Sequence, residues 1–189
     1  MTFSDASVAT IGTARFYTGA VAAATPTNYL SPAVAWTDLG HTSIDNVFAC
    51  QSEGGEVTVL GTLQAELFQS TTTPRIDSFA ITSVQLDIDT YKMYFGDNGS
   101  QDATTKLFAV PNSPTPVSKA FLAVFDAGTK AFAIKADKVE IKRGDDLDFG
   151  EKNTIAGLPL LITPLSYNGA SSNWGLTPVM PKGTAPFGA

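Results

Sequence analysis

Residues 48–67 read FACQSEGGEVTVLGTLQAEL, two strand-like segments on either side of a glycine pair. From Val57 onward apolar and polar side chains alternate, which is the period of a β-strand with one dry face and one wet face. The apolar face would hold Val57, Val59, Leu63, Ala65 and Leu67, and the polar face Thr58, Thr62, Gln64 and Glu66, with Leu60 as the exception. The stretch therefore predicts a strand over residues 57–67 in an antiparallel sheet.

The glycine pair, Gly54 and Gly55, marks the connection to a preceding predicted strand at residues 48–52. Glycine tolerates the positive φ angles that both central positions of a tight hairpin turn require. We therefore expect a turn at SEGGE, with Glu53 and Glu56 side by side in solvent. This placement argues against a pair of catalytic acids, since one carboxyl group of such a pair needs an apolar pocket that raises its pKa.

The chain as a whole has the pattern of an all-β protein. Its 16 Gly and 11 Pro residues separate short runs rich in Val, Ile, Thr and Phe. A hairpin is predicted over residues 120–142, with its turn at 126–130 and a bulge near Asp137, where the inward phase changes. Pro159 and Pro164 predict an edge position or irregular pairing for the last strand. Further strands are predicted at residues 12–21, 74–84 and 154–165.

One segment, LDIDTYKMYFGDNG, has a helical period instead. Ile88, Tyr91 and Phe95 recur at helical spacing, Asp87 can cap the first turn, and Gly96 can end the helix. We predict one short helix packed on a mainly β, antiparallel sandwich or barrel. Loops or arms are predicted at residues 18–32, 97–119 and 169–189. The second of these is long for a structureless connection, which is typical of a functional or partner-ordered loop.

The amino-acid composition excludes several classes of function. A length of 189 residues suits one domain. Of these residues, 43% are hydrophobic and 16% are charged, and the chain has a formal net charge of −6. Such a chain lacks the excess of Lys and Arg that grips phosphates, so stable nucleic-acid binding is not expected. Cys50 is the only cysteine, which excludes an internal disulfide and a zinc cluster. With no signal segment and no long apolar run, we expect a protein made and folded in a reducing cytosol, with no membrane partner.

Candidate chemistry is sparse. His41, the only histidine, could act as a general base toward Cys50 or a serine, but no orienting acid or nucleophile motif accompanies it. Cys50 is more simply a small buried strand residue. In the acidic run RGDDLDFGE, an EF-hand loop that starts at Asp146 would place Gly150 at a ligand position, so a solvated acidic turn is favoured over an irregular calcium site. We predict no catalytic, cofactor-binding or metal-binding residue.

Several segments, in their order along the chain, are similar to one family. They are GTARFYTGAV at 12–21, WTDLGHTS at 36–43, SEGGEVTVLGTLQ at 52–64, TSVQLDIDTYKMYFG at 82–96 and DKVEIKRGDDLDFGEKNTIAGLPLLITPL at 137–165. Together they resemble the major tail tube protein of long-tailed, non-contractile bacteriophages, especially those that infect actinobacteria. The resemblance covers most of residues 10–165.

The resemblance implies a structural, non-enzymatic virion protein without a cofactor. Its β-sandwich would carry a flanking helix, and the inner sheets of six copies would join into a β-barrel ring. Stacked rings would form a hollow tube around a tape-measure protein, in contact with tail terminator and distal tail proteins, and DNA would pass through as transient cargo. The protein would be made in the host cytoplasm and reside in the virion tail. One tail-tube domain would span residues 1–189, with an N-terminal arm at 1–11, a core at 12–165 and a C-terminal arm at 166–189.

The resemblance also places residues in the tube. The turn at Glu53, Gly54, Gly55 and Glu56 would lie near the neighbouring ring. The polar strand face with Thr58, Thr62, Gln64 and Glu66 would line the lumen, where an acidic balance would let DNA pass without binding. Contacts between subunits are predicted at Pro111, Pro114, Trp174 and Leu176.

Two other interpretations remain open from the residues alone. A β-sandwich that binds carbohydrate or acts as an adhesion module would need a platform of exposed aromatic side chains, for which Trp174 with Tyr167 is the candidate. A hydrolase would need His41 to approach both a nucleophile and an acid.

Overall fold

A computed structural model describes residues 8–44, 48–147 and 156–188. Its elements, in chain order, are β1 Thr13–Gly19, β2 Trp36–Asp38, β3 Ala49–Glu53, β4 Val57–Thr62, β5 Ala65–Thr72, β6 Ile76–Ser83, α1 Ile88–Phe95, β7 Ser100–Gln101, β8 Phe108–Ala109, β9 Val117–Ala127, β10 Lys130–Arg143, β11 Leu158–Pro164, β12 Gly175–Leu176 and β13 Met180–Pro181. The prediction of a mainly β, antiparallel fold with one short helix is confirmed for this part of the chain.

The main sheet has the strand order β2-β1-β9-β10-β11-β6-β3, and every neighbouring pair is antiparallel. The chain after β2 crosses to the other end of this sheet. There the amide of Val84 donates to the carbonyl of His41 over 3.0 Å, and the amide of Ser43 donates to the carbonyl of Thr82 over 2.8 Å. Because β2 itself pairs with β1, this segment joins the two sides of the sheet, which curls around one interior.

Phenylalanine rings fill that interior. Phe16 on β1 and Phe79 on β6 are fully buried, and the ring centroid of Phe48 lies 6.0 Å from the first and 5.3 Å from the second. Phe121 on β9 stacks on both, with centroid distances of 6.3 Å and 6.0 Å. Aromatic packing therefore links opposite walls of the sheet, and each large ring removes much apolar area from water.

A second, smaller core covers the outer face of β1, β9 and β10. Tyr17, Trp36 and Leu122 belong to it, and Phe187 near the chain end is 1% exposed with its ring 5.7 Å from that of Tyr29. The C-terminal segment reaches this site because β12 and β13 pair with β10. Residues 166–188 thus pack on their own body, while their contacts with other copies stay a prediction. Of the predicted N-terminal arm, residues 1–7 lie outside the described part.

The hairpin predicted over residues 120–142 is confirmed as β9 and β10, which are joined at Gly128–Thr129. Their register shifts between Ala136 and Val139, so the bulge predicted near Asp137 is confirmed as well. The bulge has a structural use, since the carbonyl of Asp137 accepts a hydrogen bond from the amide of Ala22 over 2.8 Å. This contact attaches the loop after β1 to the sheet.

The edge position or irregular pairing predicted for the strand around Pro159 and Pro164 is wrong, because β11 lies between β10 and β6 and pairs with both without a register shift. Both prolines are tolerated because the two ladders are staggered. The carbonyl of Pro159 accepts from the amide of Gly144, just beyond the last residue of β10, so its missing N–H faces the end of that strand. Pro164 faces the opposite side, where pairing with β6 has already ended at Ile162. Neither proline therefore removes a ladder hydrogen bond.

The predicted helix is confirmed as α1, with the predicted caps. The Asp87 carboxylate accepts from the amide of Thr90 over 2.8 Å, and Gly96 ends the helix with a φ of 114°. The face toward the sheet is rotated from the prediction, since Met93 and Tyr94 are buried whereas Ile88 is 39% exposed. No helix among the described residues is long and apolar enough to cross a membrane.

Phe79→Ala should lower the free energy of unfolding by about 3–5 kcal/mol, because it opens a cavity beside the rings of Phe48 and Phe121, which both pack on Phe79. Urea denaturation followed by tryptophan fluorescence measures the change. The control is Leu63→Ala, at a fully exposed side chain, which should change stability by less than about 0.5 kcal/mol. Equal stabilities of the two variants would contradict this account of the core.

Candidate subunit interface

The strands β4 and β5 form a two-stranded hairpin outside the main sheet, here called the arm, residues 57–72. The chain reverses at Leu63–Gln64, between the paired residues Thr62 and Ala65. The turn predicted at Gly54–Gly55 is therefore wrong, and the strand predicted over residues 57–67 is two strands. Six residues in β4 give the arm a length of about 20 Å.

Gly54 and Gly55 instead form a joint at the base of the arm. Their φ angles are +84° and +75°, so the predicted positive φ values are confirmed. The pairs Glu53–Ile76 and Val57–Thr72 keep one register across the joint, which means that β3–β4 and β5–β6 are one long ribbon interrupted at the joint. A Cβ atom on Gly54 would lie 2.4 Å from the carbonyl oxygen of Pro74, so only glycine fits this approach.

The register of the arm assigns its two faces. Val59 pairs with Ser70, so Val57, Val59, Glu66, Phe68, Ser70 and Thr72 share one face, here called the Phe68 face. Thr58 pairs with Thr71, and the opposite face carries Thr58, Leu60, Leu67, Gln69 and Thr71. The predicted common polar face of Thr58, Thr62, Gln64 and Glu66 is thus wrong, because the turn at Leu63–Gln64 puts Glu66 on the other side.

All side chains from 49 to 76 are exposed, including those of large apolar residues. Leu63 is 101% exposed, Leu67 80% and Phe68 69%. A two-stranded hairpin without a core of its own is marginally stable in water, and contiguous exposed apolar side chains mark surfaces that bind other proteins. The arm is therefore the strongest candidate for an interaction element among the described residues.

Asp77 organises the base of the arm. Its carboxylate accepts from the Ser52 hydroxyl over 2.7 Å, from the Trp174 indole N–H over 2.9 Å and from the Arg75 guanidinium over 3.1 Å. The hydrogen bond from Ser52, followed by that from Trp174, lowers the pKa of Asp77 below its ordinary value. One carboxylate thus ties together β3, β6 and the C-terminal segment.

Trp174 and Leu176, both predicted to contact other subunits, lie in different surroundings. The Trp174 ring packs edge-on against Phe79 at 5.3 Å and is half-buried. Because its N–H is also engaged by Asp77, it does not offer an open aromatic platform with Tyr167, which weighs against the carbohydrate-binding interpretation. Leu176 is 58% exposed on β12. Contacts of either residue with other copies stay a prediction.

Pro111 and Pro114 line an apolar cavity of about 390 Å³, here called the groove. Its walls are the end of α1, residues 110–116 and the end of β10. Asn98 holds the loop in place, since its side-chain amide donates to the carbonyl of Ser113 over 2.9 Å and its side-chain oxygen accepts from the amide of Thr115 over 3.0 Å. The long loop after α1 is thus ordered by its own chain.

The residues considered for chemistry do not form a reaction centre in the described structure. His41 lies exposed in the segment that joins β2 to β6, and its amide donates weakly to Gln85 over 3.4 Å. Cys50 is exposed on β3, so the prediction of a buried thiol is wrong. In the acidic run, Arg143 forms an ion pair with Asp146, and residues 148–151 lie outside the described part.

The sequence analysis missed β5 and with it Phe68. Leu63–Gln64 carries no Gly, Pro, Asn or Asp that would predict a turn. The signal nearby is Gly61, where the register of β4 and β5 shifts and a Cβ atom would lie 2.6 Å from the carbonyl oxygen of Glu66. A glycine inside a strand pattern marks such a bulge or close approach.

A curled β body with an exposed apolar arm and without a reaction centre among its described residues is typical of a structural subunit. The chain matches the phage tail tube protein family over residues 1–176, and it belongs to that family. It is therefore a structural component of a bacteriophage tail tube, and membership implies self-assembly into a tube. The family is one of structural proteins and not of enzymes.

Two curated relatives come from mycobacteriophages. The chain is 30% identical to the major tail protein Gp23 of Mycobacterium phage L5 over 180 residues, which cover 88% of this chain and 89% of that protein. It is also 30% identical to the major tail protein Gp23 of Mycobacterium phage D29 over 136 residues, which cover 71% of this chain and 67% of that protein. These similarities confirm the resemblance to tail proteins of phages that infect actinobacteria.

Asp77→Asn should reduce the acid sensitivity of the fold. Because the pKa of Asp77 is lowered on folding, its carboxylate stabilises the protein above the unfolded pKa of about 4, and this contribution is lost as the pH falls through the folded pKa. The wild type should lose about 1–2 kcal/mol in this range that the variant does not lose. Urea denaturation at several pH values below 5 measures the difference.

Trp174→Phe is the matched variant, since it keeps a ring against Phe79 and removes one donor to Asp77. Its acid sensitivity should lie between those of the wild type and Asp77→Asn. If all three proteins lost the same amount of stability as the pH fell below 5, the assigned role of Asp77 would be refuted.

Proposed function

We propose that this protein forms hexameric rings that stack into the hollow tail tube of a long-tailed, non-contractile phage, and that the tube conducts DNA during ejection. The observation that carries this proposal is the exposed arm. Its apolar side chains, among them Leu63 and Phe68, are largely exposed and need a partner to remove them from water. Another copy of the same protein supplies that partner in a tube.

The joint at Gly54–Gly55 supports a role between rings. It separates the arm from the body while both halves of the ribbon keep one register. The arm of one copy thereby reaches about 20 Å from its base toward a neighbouring ring. The proposed assembly surrounds a tape-measure protein and meets tail terminator and distal tail proteins at its ends. The protein is made in the host cytoplasm and incorporated into the virion tail.

We place the polar positions Thr58, Gln69 and Thr71 of the arm toward the bore. The register puts these three uncharged side chains on one face, opposite Glu66 and together with Leu60 and Leu67. Thr62 and Gln64, at the turn, extend this surface. A bore without Lys or Arg side chains lets a polyanion pass without ionic binding, which agrees with the net charge of −6 per chain.

Negative-stain electron microscopy of the purified protein tests the assembly. Hollow tubes or six-fold rings are expected at high protein concentration. A variant in which residues 57–72 are replaced by a short Gly-Ser linker should remain monomeric, with thermal unfolding of its body as the folding control. A wild-type protein that stays monomeric at high concentration, or tubes formed without the arm, would contradict the proposal.

The bore assignment has its own test in phage particles. Thr58→Lys combined with Thr71→Lys should slow genome ejection, and added salt should restore its speed because salt screens contacts with phosphates. Thr58→Gln combined with Thr71→Gln is the neutral control. Ejection from the lysine particles at the control speed, independent of salt, would show that this face does not meet DNA.

A further inference from the structure

We propose that the Phe68 face of the arm docks in the groove of a second copy, with Phe68 as its anchor and Glu66 opposite Lys142. This inference rests on the proposed self-assembly and names the surface that receives the arm. The partner is thus a second copy of this chain, and the contact joins two different surfaces.

The Phe68 face has the composition of a binding anchor. Phe68 is 69% exposed, and Val59, on the same face, is 47% exposed. Aromatic side chains at the centre of a protein interface contribute far more than their neighbours to binding, because they fill a pocket and exclude water. Leu67, 80% exposed on the opposite face, points away from the same partner.

The groove has a matching shape and surface. Tyr94 and Phe95 contribute aromatic walls, and Val110 at its mouth is 54% exposed. Its volume of about 390 Å³ falls in the range of about 300–1,000 Å³ that is typical of sites enclosing a ligand. Asn98 already orders residues 113–115, so docking does not have to order this wall.

Charge favours this pairing of surfaces. Glu66 is the only charged residue between Val57 and Thr72. The charged residues that line the groove, Lys142 and Arg143, are both cations. Arg143 is engaged by Asp146 and stacks over Tyr94 at 5.6 Å, whereas Lys142 is exposed and forms no ion pair with any described residue. Lys142 is therefore the cation left to meet Glu66.

The contact leaves an unused arm at one end and an unused groove at the other. Within one copy the arm stays exposed over its whole length, so it does not occupy its own groove. Contacts between two different surfaces continue from copy to copy until the assembly closes or ends. The proposed docking thus supplies a direction to assembly.

Sedimentation velocity and electron microscopy of purified variants test the anchor. Phe68→Ala should weaken association by about thirtyfold or more, and Val110→Glu should prevent it by placing a charge in the groove. Leu67→Ala is the matched control and should assemble like the wild type. Loss of assembly in Leu67→Ala with normal assembly of Phe68→Ala would overturn the proposal, because the wrong face would then be buried.

Charge exchange tests the register. Glu66→Lys and Lys142→Glu should each weaken association by about fivefold, and the two substitutions together should restore it, because every contact then has the exchanged pair. If the double variant associated more weakly than either single variant, the Glu66–Lys142 contact would be overturned. Both side chains are exposed, so thermal unfolding of each variant should match that of the wild type.

Cross-linking separates this inference from the proposed function. One protein carries Cys50→Ser with Glu66→Cys, another carries Cys50→Ser with Val110→Cys, and a short bis-maleimide is added to each alone and to their mixture. A cross-linked dimer that forms mainly in the mixture supports docking, whether or not tubes are seen. Tubes or rings without this mixed dimer would overturn the groove and leave the proposed function intact. Absence of both assembly and mixed dimer would overturn both.

Discussion

The proposed assembly depends on an apolar ribbon that has no core of its own. In the arm the side chains on both faces are exposed, so the hydrophobic effect that stabilises the rest of the fold does not act there within one chain. The body of the protein instead holds the base of the arm in place. The unbroken register from β3–β6 into β4–β5 and the hydrogen bonds to Asp77 determine where the ribbon starts and how it leaves the body.

The same molecule covers some of its other strand edges. The first half of β10 is covered by β12 and β13, and the crossing segment at His41–Ser43 pairs with the end of β6. Open edges with apolar side chains invite association, and most proteins cover them. Among the described strands, β3 pairs only with β6, and β4 pairs only with β5. The longest open strand edges thus belong to the ribbon, since β2, β7 and β8, which also have a single partner among the described strands, have only two or three residues.

Features fixed by a few neighbouring residues could be predicted from the sequence. Asp87 and Gly96 define the helix, and the phase change at Asp137 defines a bulge, because each depends on local chemistry. The function of Gly54–Gly55 could not be predicted, since a joint opposite Pro74 and a hairpin turn require the same positive φ angles. The groove unites α1, residues 110–116 and the end of β10, so no single stretch of sequence describes it.

Net charge explains why the proposed docking surfaces are apolar and share a single proposed ion pair. Chains with a formal charge of −6 repel one another at long range, so association has to come from burial of apolar area at short range. Lys142 and Arg143 place positive charge beside an apolar wall, and the arm presents one carboxylate next to Phe68. Electrostatic complementarity of this kind determines the register of a contact more than it increases its affinity. An arm with additional acids would bind less well to an acidic body, and an arm without Glu66 would lose the contact proposed to fix its position along the groove.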